Sequence, residues 1–329
     1  MPKKEKEFDP QRTQDLVIFK EKEEPKKKII ENYTFEKIDQ EYKIKSKCSF
    51  SPFGSHFRYS ILIDNRSMAP ITEMKIKIRY PNFLTLIRAF PPTIRIPQIK
   101  ADEEINQINL EFDELKENSN KQIHLHFSPN LLDKKGDIRT IVTYVNNKDI
   151  VRVLDSRPVE IEVDKIVLEP KVVPSSFVRE FSKQSGIKKV IKSMGIAIEH
   201  QVNSEIIFDI LEQLFLIHNF QLVAKDVEKR ILWYIGTESF SKEDILAIGQ
   251  IVSNKIEIIA SSLNHYLLIS FLTQISSDFK QFLILNGIIN SKDKVHDLEC
   301  KNCGAILDYF PKKNERIECK TCNYEQTVW

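Results

Sequence analysis

Four cysteines near the C-terminus have the spacing of metal ligands. Cys300 and Cys303 enclose two residues, fifteen residues separate Cys303 from Cys319, and Cys319 and Cys322 again enclose two. Each pair can bend the backbone so that two thiolates face one tetrahedral ion about 2.3 Å away. The pattern therefore predicts one structural Zn²⁺, because four thiolates leave no coordination position for a substrate.

Two disulfides are the competing interpretation of these cysteines. No apolar stretch of signal-peptide length follows the N-terminus, so we expect a cytoplasmic protein with reduced thiols. Between the cysteine pairs, residues 306–310 and 316–318 are predicted to be the strands of a small zinc ribbon spanning residues 298–329. So short a segment has little core, and we expect the metal to stabilise it.

Other residue types that could do chemistry do not form a convincing set. His124 and His126 stand at i and i+2 of a predicted strand and could chelate a metal, although surface positions are the simpler interpretation. Cys48 is predicted to be a small buried side chain and not a nucleophile. The sequence has no Gly-rich phosphate loop, nucleophile elbow or HExxH motif. We therefore predict a protein that is not an enzyme, with an unrecognised enzyme as an alternative.

Composition and charge favour an ordinary globular protein over a nucleic-acid binder. The 329 residues are 41% hydrophobic and 29% charged, and 49 basic against 47 acidic side chains give a net charge of +2. The segment 300–329 carries five basic and four acidic residues, so it lacks the basic surface of a nucleic-acid reader. No apolar run approaches the roughly 18 residues of a membrane span.

The elements that must position any site fall into two larger domains behind a charged tail. Residues 1–32 are predicted to be a flexible tail, in which the apolar island 16–19 could alternatively be a docking peptide. Residues 33–168 alternate with period two in short runs and predict a β-sandwich. The runs are 59–63, 74–80, 105–112, 122–127, 138–145 and 159–167.

Residues 169–290 change to a mixed pattern that predicts an α+β platform, an antiparallel sheet flanked by helices. Helical spacing begins at Phe177, and a second apolar stripe over 206–215 follows Asn203, a good N-cap residue. Strands are predicted at 231–235, 245–252, 256–260 and 266–272, and a last helix near Ser276. The expected order is two helices, four strands and one helix.

An apolar stripe on the first platform helix and a tryptophan in the first platform strand are candidate binding residues. The helix carries Phe177, Val178 and Phe181, and the strand carries Trp233. Packing in the core is one interpretation; a groove that receives aromatic side chains of a short peptide is the other.

Two segments resemble the appendage, or ear, of clathrin-adaptor and coatomer subunits. They are YSILIDNRSMAPITEMKIKI at residues 59–78 and the stretch from LEP at 168–170 to SSFVREF at 175–181. The resemblance covers residues 33–290 and implies an immunoglobulin-like sandwich followed by a platform. It places Phe177, Val178 and Phe181 at the family's peptide pocket, where Phe181 replaces a tryptophan. The family's peptide-holding arginines fall near Gln250 and Leu267, and neither is basic.

The leading hypothesis is a non-enzymatic adaptor of this kind that binds short linear peptides of partner proteins, in a vesicle-coat-like or membrane-trafficking assembly. The zinc ribbon is foreign to the appendage family. A nucleic-acid or transcription-associated zinc-ribbon protein is the alternative, and steep salt dependence of binding would favour it.

Overall fold

A computed structural model describes residues 41–91, 98–100, 104–198, 203–252 and 254–329. The predicted tail and its apolar island at 16–19 lie outside these ranges. No helix in the described part of the chain has the length and apolar character needed to cross a membrane.

The first ten strands of the described chain build two facing antiparallel sheets. One sheet has the order β1-β2-β7-β4, and the other has the order β10-β8-β3-β6-β5 with β9 paired to β8. The strands are β1 (Ile44–Phe53), β2 (His56–Asn65), β3 (Ile71–Pro81), β4 (Leu84–Phe90), β5 (Gln98–Lys100), β6 (Ile105–Leu115), β7 (Ser119–Pro129), β8 (Lys134–Val145), β9 (Val151–Asp155) and β10 (Val159–Val163).

Alternating side chains explain why these strands form a β-sandwich. In β3, Met74, Ile76, Ile78 and Tyr80 are buried in a core that also contains Phe57 from the opposite sheet, while the residues between them point outward. The sequence pattern missed β1, β4, β5 and β9, and placed the end of the last strand at 167 instead of 163.

The next ten elements form a second unit around a mainly antiparallel sheet, which we call the platform. The sheet order is β11-β14-β15-β16-β12-β17, with β13 also paired to β14. The elements are β11 (Leu168–Pro170), α1 (Ser176–Lys183), β12 (Lys188–Ile196), α2 (Ser204–Ile217), β13 (Gln221–Asp226), β14 (Ile231–Glu238), β15 (Asp244–Val252), β16 (Lys255–Ser262), α3 (His265–Leu285) and β17 (Val295–Asp297).

Helix α2 confirms the capping prediction. The side chain of Asn203 accepts a hydrogen bond from the Glu205 N–H, and the apolar stripe from Ile207 to Phe215 is buried. Strands β12 and β13 were not expected, and β12 lies between the two predicted helices.

The prediction of a strand at 266–272 and a helix starting near Ser276 is wrong, because one helix, α3, begins at His265. The Asn264 side chain caps it by accepting hydrogen bonds from the N–H groups of Tyr266 and Leu267. Leu268 packs in the platform core, whereas Ile269 packs in the sandwich core. A helix buried on two sides has a continuous apolar run, which periodicity cannot distinguish from a buried strand.

Residues 298–329, called here the C-terminal module, have their own small core of Leu298, Leu307, Ile317 and the cysteines. Its hairpin pairs β18 (Arg316–Glu318) with β19 (Glu325–Thr327). The expected pairing of 306–310 with 316–318 is therefore wrong; within 306–310, Ile306 forms an isolated bridge with Glu299. Together, the described residues form a mostly β structure of several antiparallel sheets with a cysteine cluster at the C-terminal end.

Candidate metal centre and platform groove

The structure brings the four predicted cysteine ligands together. The sulfur atoms of Cys300, Cys303, Cys319 and Cys322 all lie within 4.8 Å of one another. The Sγ atoms of Cys300 and Cys322 are 3.6 Å apart, as are those of Cys303 and Cys319. A tetrahedral ion with bonds of about 2.3 Å has its ligands about 3.8 Å apart, so the four thiols fit one metal. These separations are also too long for disulfides, whose S–S bonds are about 2.05 Å.

Two equivalent backbone turns position the thiols. In the first, the Gly304 N–H donates to the Cys300 carbonyl at 2.8 Å; in the second, the Asn323 N–H donates to the Cys319 carbonyl, also at 2.8 Å. Gly304 and Asn323 both have positive φ, at 78° and 55°. Glycine and asparagine tolerate this region best, so the residue after each cysteine pair was a sequence signal for the turn.

Thiol acidity differs within the cluster. Burial raises the pKa of Cys303 to about 12, whereas a hydrogen bond from the Asn302 side chain is the largest of the causes that lower the pKa of Cys322 to about 6. A bound cation would deprotonate even the more basic thiol, because coordination stabilises the thiolate.

A sandwich arginine approaches the metal centre. The Nη1 atom of Arg88, in β4, lies 1.5 Å from the position that a Cβ on residue 304 would occupy. Burial lowers the pKa of Arg88, and the neighbouring Glu299, Cys303 and Cys300 act in the opposite direction. The guanidinium is thus placed to offset the negative charge of four thiolates, and Gly304 is required for its close approach.

A buried polar cluster also joins the module to the sandwich. Glu299 Oε2 lies 2.6 Å from His56 Nε2, and Ser55 Oγ donates to Glu299 Oε1 at 2.7 Å. Burial raises the pKa of Glu299, but the hydrogen bond and charge of His56, with smaller contributions from Lys192 and Ser55, outweigh it and lower that pKa to about 2. The carboxylate is therefore ionised at neutral pH.

This cluster does not have the geometry of a hydrolytic triad. Ser55 Oγ lies 3.0 Å from the same His56 nitrogen that contacts Glu299, whereas a triad requires the serine and the acid on opposite ring nitrogens. The His56 Nδ1 is buried and has no partner in the described part of the chain. No local motif marks His56, Arg88 or Glu299 in the sequence, because these residues come from distant segments.

Of the remaining candidate residues of the sandwich, His124 lies at the rim, as expected, whereas His126 does not. His124 is half-buried and its Nδ1 lies 2.9 Å from Ser60 Oγ. His126 is buried against Arg88 instead of at the surface, and burial, followed by the charge of Arg88, lowers its pKa to about 3. Cys48 is half-buried and packs against the sandwich core.

The platform sheet has two apolar faces, of which α2 and α3 cover one. Leu232, Tyr234, Ala247 and Ile258 pack under these helices. The neighbours of these residues along the strands point to the opposite face of the sheet. On that face, the strand register aligns four side chains in one row across β14, β15, β16 and β12, namely Trp233, Ile248, Ile259 and Ile191. Trp233, Ile248 and Ile191 are half-buried, and Ile259 is 7% exposed. This row is called the platform groove below.

Helix α1 marks one end of the groove. Phe181 is only 6% exposed and does not belong to the core beneath α2 and α3, although it is buried. Ile235 and Leu246 point to the groove side of the sheet, in the row next to Trp233, and are also fully buried. We infer that α1, which precedes β12, covers them there.

Of the residues predicted for a peptide site, Phe177 and Val178 are half-buried on α1, like Trp233 on the sheet, whereas Phe181 is buried. The Phe177 and Phe181 rings stack with centroids 5.6 Å apart. The Lys171 ammonium lies 5.4 Å from the Phe177 ring centroid. Trp233 rather than Phe181 therefore offers apolar surface to a ligand.

The C-terminal module closes the other end of the groove side. The Phe310 ring occupies the space in which a Cβ of Gly195, in β12, would lie. The Lys255 ammonium, in β16, donates to the Leu307 carbonyl at 3.1 Å. Trp329 stacks on Phe310 with centroids 5.7 Å apart. These contacts fix the module against the sheet.

No protein-family model matches the chain, and no curated protein matches it. Solved structures with partial similarity include an inactive mutant of the GH20 exo-β-N-acetylglucosaminidase from Vibrio harveyi, at 12% identity and a TM-score of 0.26 over 67% of this chain and 39% of that one. The major pilin SpaD from Corynebacterium diphtheriae gives 11% identity and a TM-score of 0.28 over 47% of this chain and 42% of that one.

The sporulation control protein Spo0M from Bacillus subtilis gives 9% identity and a TM-score of 0.19 over 67% of this chain and 79% of that one. The chain thus spans about two fifths of the enzyme and the pilin. At these scores, none of the similarities carries an argument about this protein.

Proposed function

We propose that the chain is a non-enzymatic, appendage-like adaptor that binds short linear peptides of partner proteins in the platform groove. The observation that carries the proposal is the row of Trp233, Ile248, Ile259 and Ile191, because three of these large apolar side chains remain partly open to solvent. Contiguous exposed apolar surface of this kind is characteristic of protein-binding sites.

The shape of the groove side supports a short, extended ligand. The C-terminal module lies at one end of the strands and helix α1 is inferred to cover the other, so a bound segment would run across the strands between the two. A tryptophan at such a site provides the large rigid contact area typical of binding hot spots. No covalent chemistry is required, and docking is the whole of the mechanism.

The proposed role of the metal is structural, and Zn²⁺ is the ion that four thiolates in two such turns select most readily. Zn²⁺ would hold Cys300, Cys303, Cys319 and Cys322, and so fix the module that walls the groove. No reaction step passes through the ion.

The alternative of a nucleic-acid reader has less support. On the module surface Lys320 pairs with Asp308 and Arg316 pairs with Glu325, so part of its positive charge is already neutralised. The ring of Phe310, an aromatic residue that could stack on bases, already packs against Gly195 and stacks on Trp329.

The test is selection from a display library of short random peptides with the full chain and two variants. Trp233→Ala removes the half-buried groove tryptophan, and Phe240→Ala removes an aromatic side chain that is 83% exposed elsewhere in the platform. We expect peptides with bulky apolar side chains to bind the unmodified chain and the Phe240→Ala variant. The same peptides should not bind the Trp233→Ala variant.

Melting curves of both variants serve as the folding control, and Ile248→Ser provides a second groove variant if Trp233→Ala does not fold. Selected peptides that bind the groove variants as tightly as the unmodified protein would refute the platform groove as the peptide site. A failure to select any peptide would refute the adaptor proposal itself.

A further inference from the structure

A cavity of about 590 Å³ lies where the sandwich and the platform meet. Helix α3 and strands β12 and β17 form its platform walls, and Ser55 and the end of β7 form its sandwich wall. Its volume lies in the range of small-molecule sites. The side chains that line it include Lys192, Ser276, Ser277, Lys280, Lys292 and Asp297.

Helix α3 presents a polar stripe to this cavity although it is mostly apolar. Thr273, Ser276, Ser277 and Lys280 follow one another at i, i+3, i+4 and i+7, which places all four on one face. Hydroxyl and ammonium groups can all donate hydrogen bonds. Ser276 donates to the Thr273 carbonyl at 3.2 Å, and the other three side chains can donate to acceptors in the cavity.

Lys280 lacks such an acceptor within the protein. It is half-buried, and no carboxylate forms an ion pair with it among the residues that the structure describes. Burial is the largest cause of its lowered pKa; the charge of Asp297 acts against this shift, and the charges of Lys192 and Lys292 add to it. Desolvation of an ammonium without a partner is costly. A ligand with negative charge would remove that cost.

The other charges of the cavity leave a positive balance. Lys192 is buried and already paired with Asp297 at 2.5 Å. Lys292 and Asp293 are exposed at the rim, and burial lowers the pKa of His296, which keeps this ring uncharged at neutral pH. Three lysines against two aspartates therefore leave one excess positive charge in the cavity, and Asp297 and Asp293 offset the charge of Lys280 only in part, without an ion pair.

We propose that this cavity binds a phosphate group, either free or as the ester of a small metabolite, with Lys280 as its principal contact. The Ser277 hydroxyl would donate to the same oxygens, the Ser276 hydroxyl could do so by leaving the Thr273 carbonyl to which it now donates at 3.2 Å, and Lys292 would add charge at the entrance. Leu272 and Val295 provide the apolar lining against which the organic part of an ester would pack. This site is separate from the platform groove, which lies on the other face of the sheet.

Calorimetric titration of the full chain tests the proposal with inorganic phosphate, glucose 6-phosphate and, as a control, glucose. We expect saturable binding of the first two and none of glucose. Lys280→Gln is expected to weaken binding by about tenfold or more, which corresponds to about 1.4 kcal/mol. Lys229→Gln, which changes a lysine whose side chain is 75% exposed far from the cavity, should bind like the unmodified protein.

Equal affinity for phosphate and its ester would identify a free-phosphate site, and tighter binding of glucose 6-phosphate an ester site. Lysine-selective NMR of the unmodified protein provides a second measurement that does not depend on the folding of a variant: the Lys280 side-chain signals should shift on adding phosphate while those of Lys229 do not. Absence of saturable binding, unchanged affinity of a folded Lys280→Gln, or an unmoved Lys280 signal would each overturn the proposal.

Discussion

The sandwich and the C-terminal module are both β structures, but different interactions stabilise them. The sandwich has strands of up to twelve residues and a core with many fully buried aromatic and aliphatic side chains. The module has strands of three residues and a core of five buried residues, two of which are the metal ligands Cys300 and Cys319. Burial of apolar surface therefore suffices for the first, whereas we expect the second to depend on a metal held by its cysteines and on its contacts with the rest of the chain.

The contacts between the two regions are also of a different kind from those inside the sandwich. Arg88 approaches Gly304, and His56 contacts Glu299, so the junction is polar and charged. Buried polar contacts depend on every partner being present, because a remaining unpaired group is costly. The polar contacts at this junction therefore fix the position of the module on the sandwich and add little hydrophobic stability.

The largest effect should come from removing the metal. Structural zinc contributes about 10–16 kcal/mol to small zinc domains, so Cys319→Ser should unfold the module while the sandwich remains folded. Metal analysis is expected to give one zinc per unmodified chain, and hydrogen exchange should show lost protection over residues 298–329 alone. Cys48→Ser, which changes the cysteine outside the cluster, should keep the metal. Loss of hydrogen-exchange protection in the sandwich as well as in the module would contradict the claim that the sandwich is stable without the metal.

An intermediate effect is expected at the buried side chain of helix α1. Phe181 is 6% exposed, so Phe181→Ser should destabilise the protein by about 3–5 kcal/mol, as for other large buried aromatic residues. Chemical denaturation measures the change, and Phe240→Ser is the matched control, expected to stay within about 0.5 kcal/mol because its side chain is exposed. Unchanged stability of Phe181→Ser would instead place this ring in the peptide groove.

The smallest effect should come from the glycine at the metal turn. Gly304 and Gly54 both have positive φ, but a Cβ would meet Arg88 at residue 304 and open space at residue 54. Both alanine variants should lose about 1–2 kcal/mol from the left-handed backbone, and Gly304→Ala should lose more because the guanidinium must move. Equal unfolding free energies of the two variants would show that the Arg88 contact adds nothing to the module's attachment.

Local patterns in the sequence were sufficient for several parts of this molecule. The spacing of four cysteines predicted the cysteine cluster, because all four residues lie in one short segment. Period-two alternation predicted β3 and β7, and Asn203 before an apolar stripe predicted α2. In each case the chemical information and the structure that uses it are close together in the chain.

Only the tertiary structure decided the rest. The run at 266–272 became part of a helix because two cores bury it from different sides, which no local period expresses. Strand register aligned Trp233 with Ile248, Ile259 and Ile191 in the groove. His56 and Glu299, separated by 243 residues, meet because the module docks on the sandwich. Long-range pairing of this kind depends on the packing of whole elements, so the sequence contains its residues but not their juxtaposition.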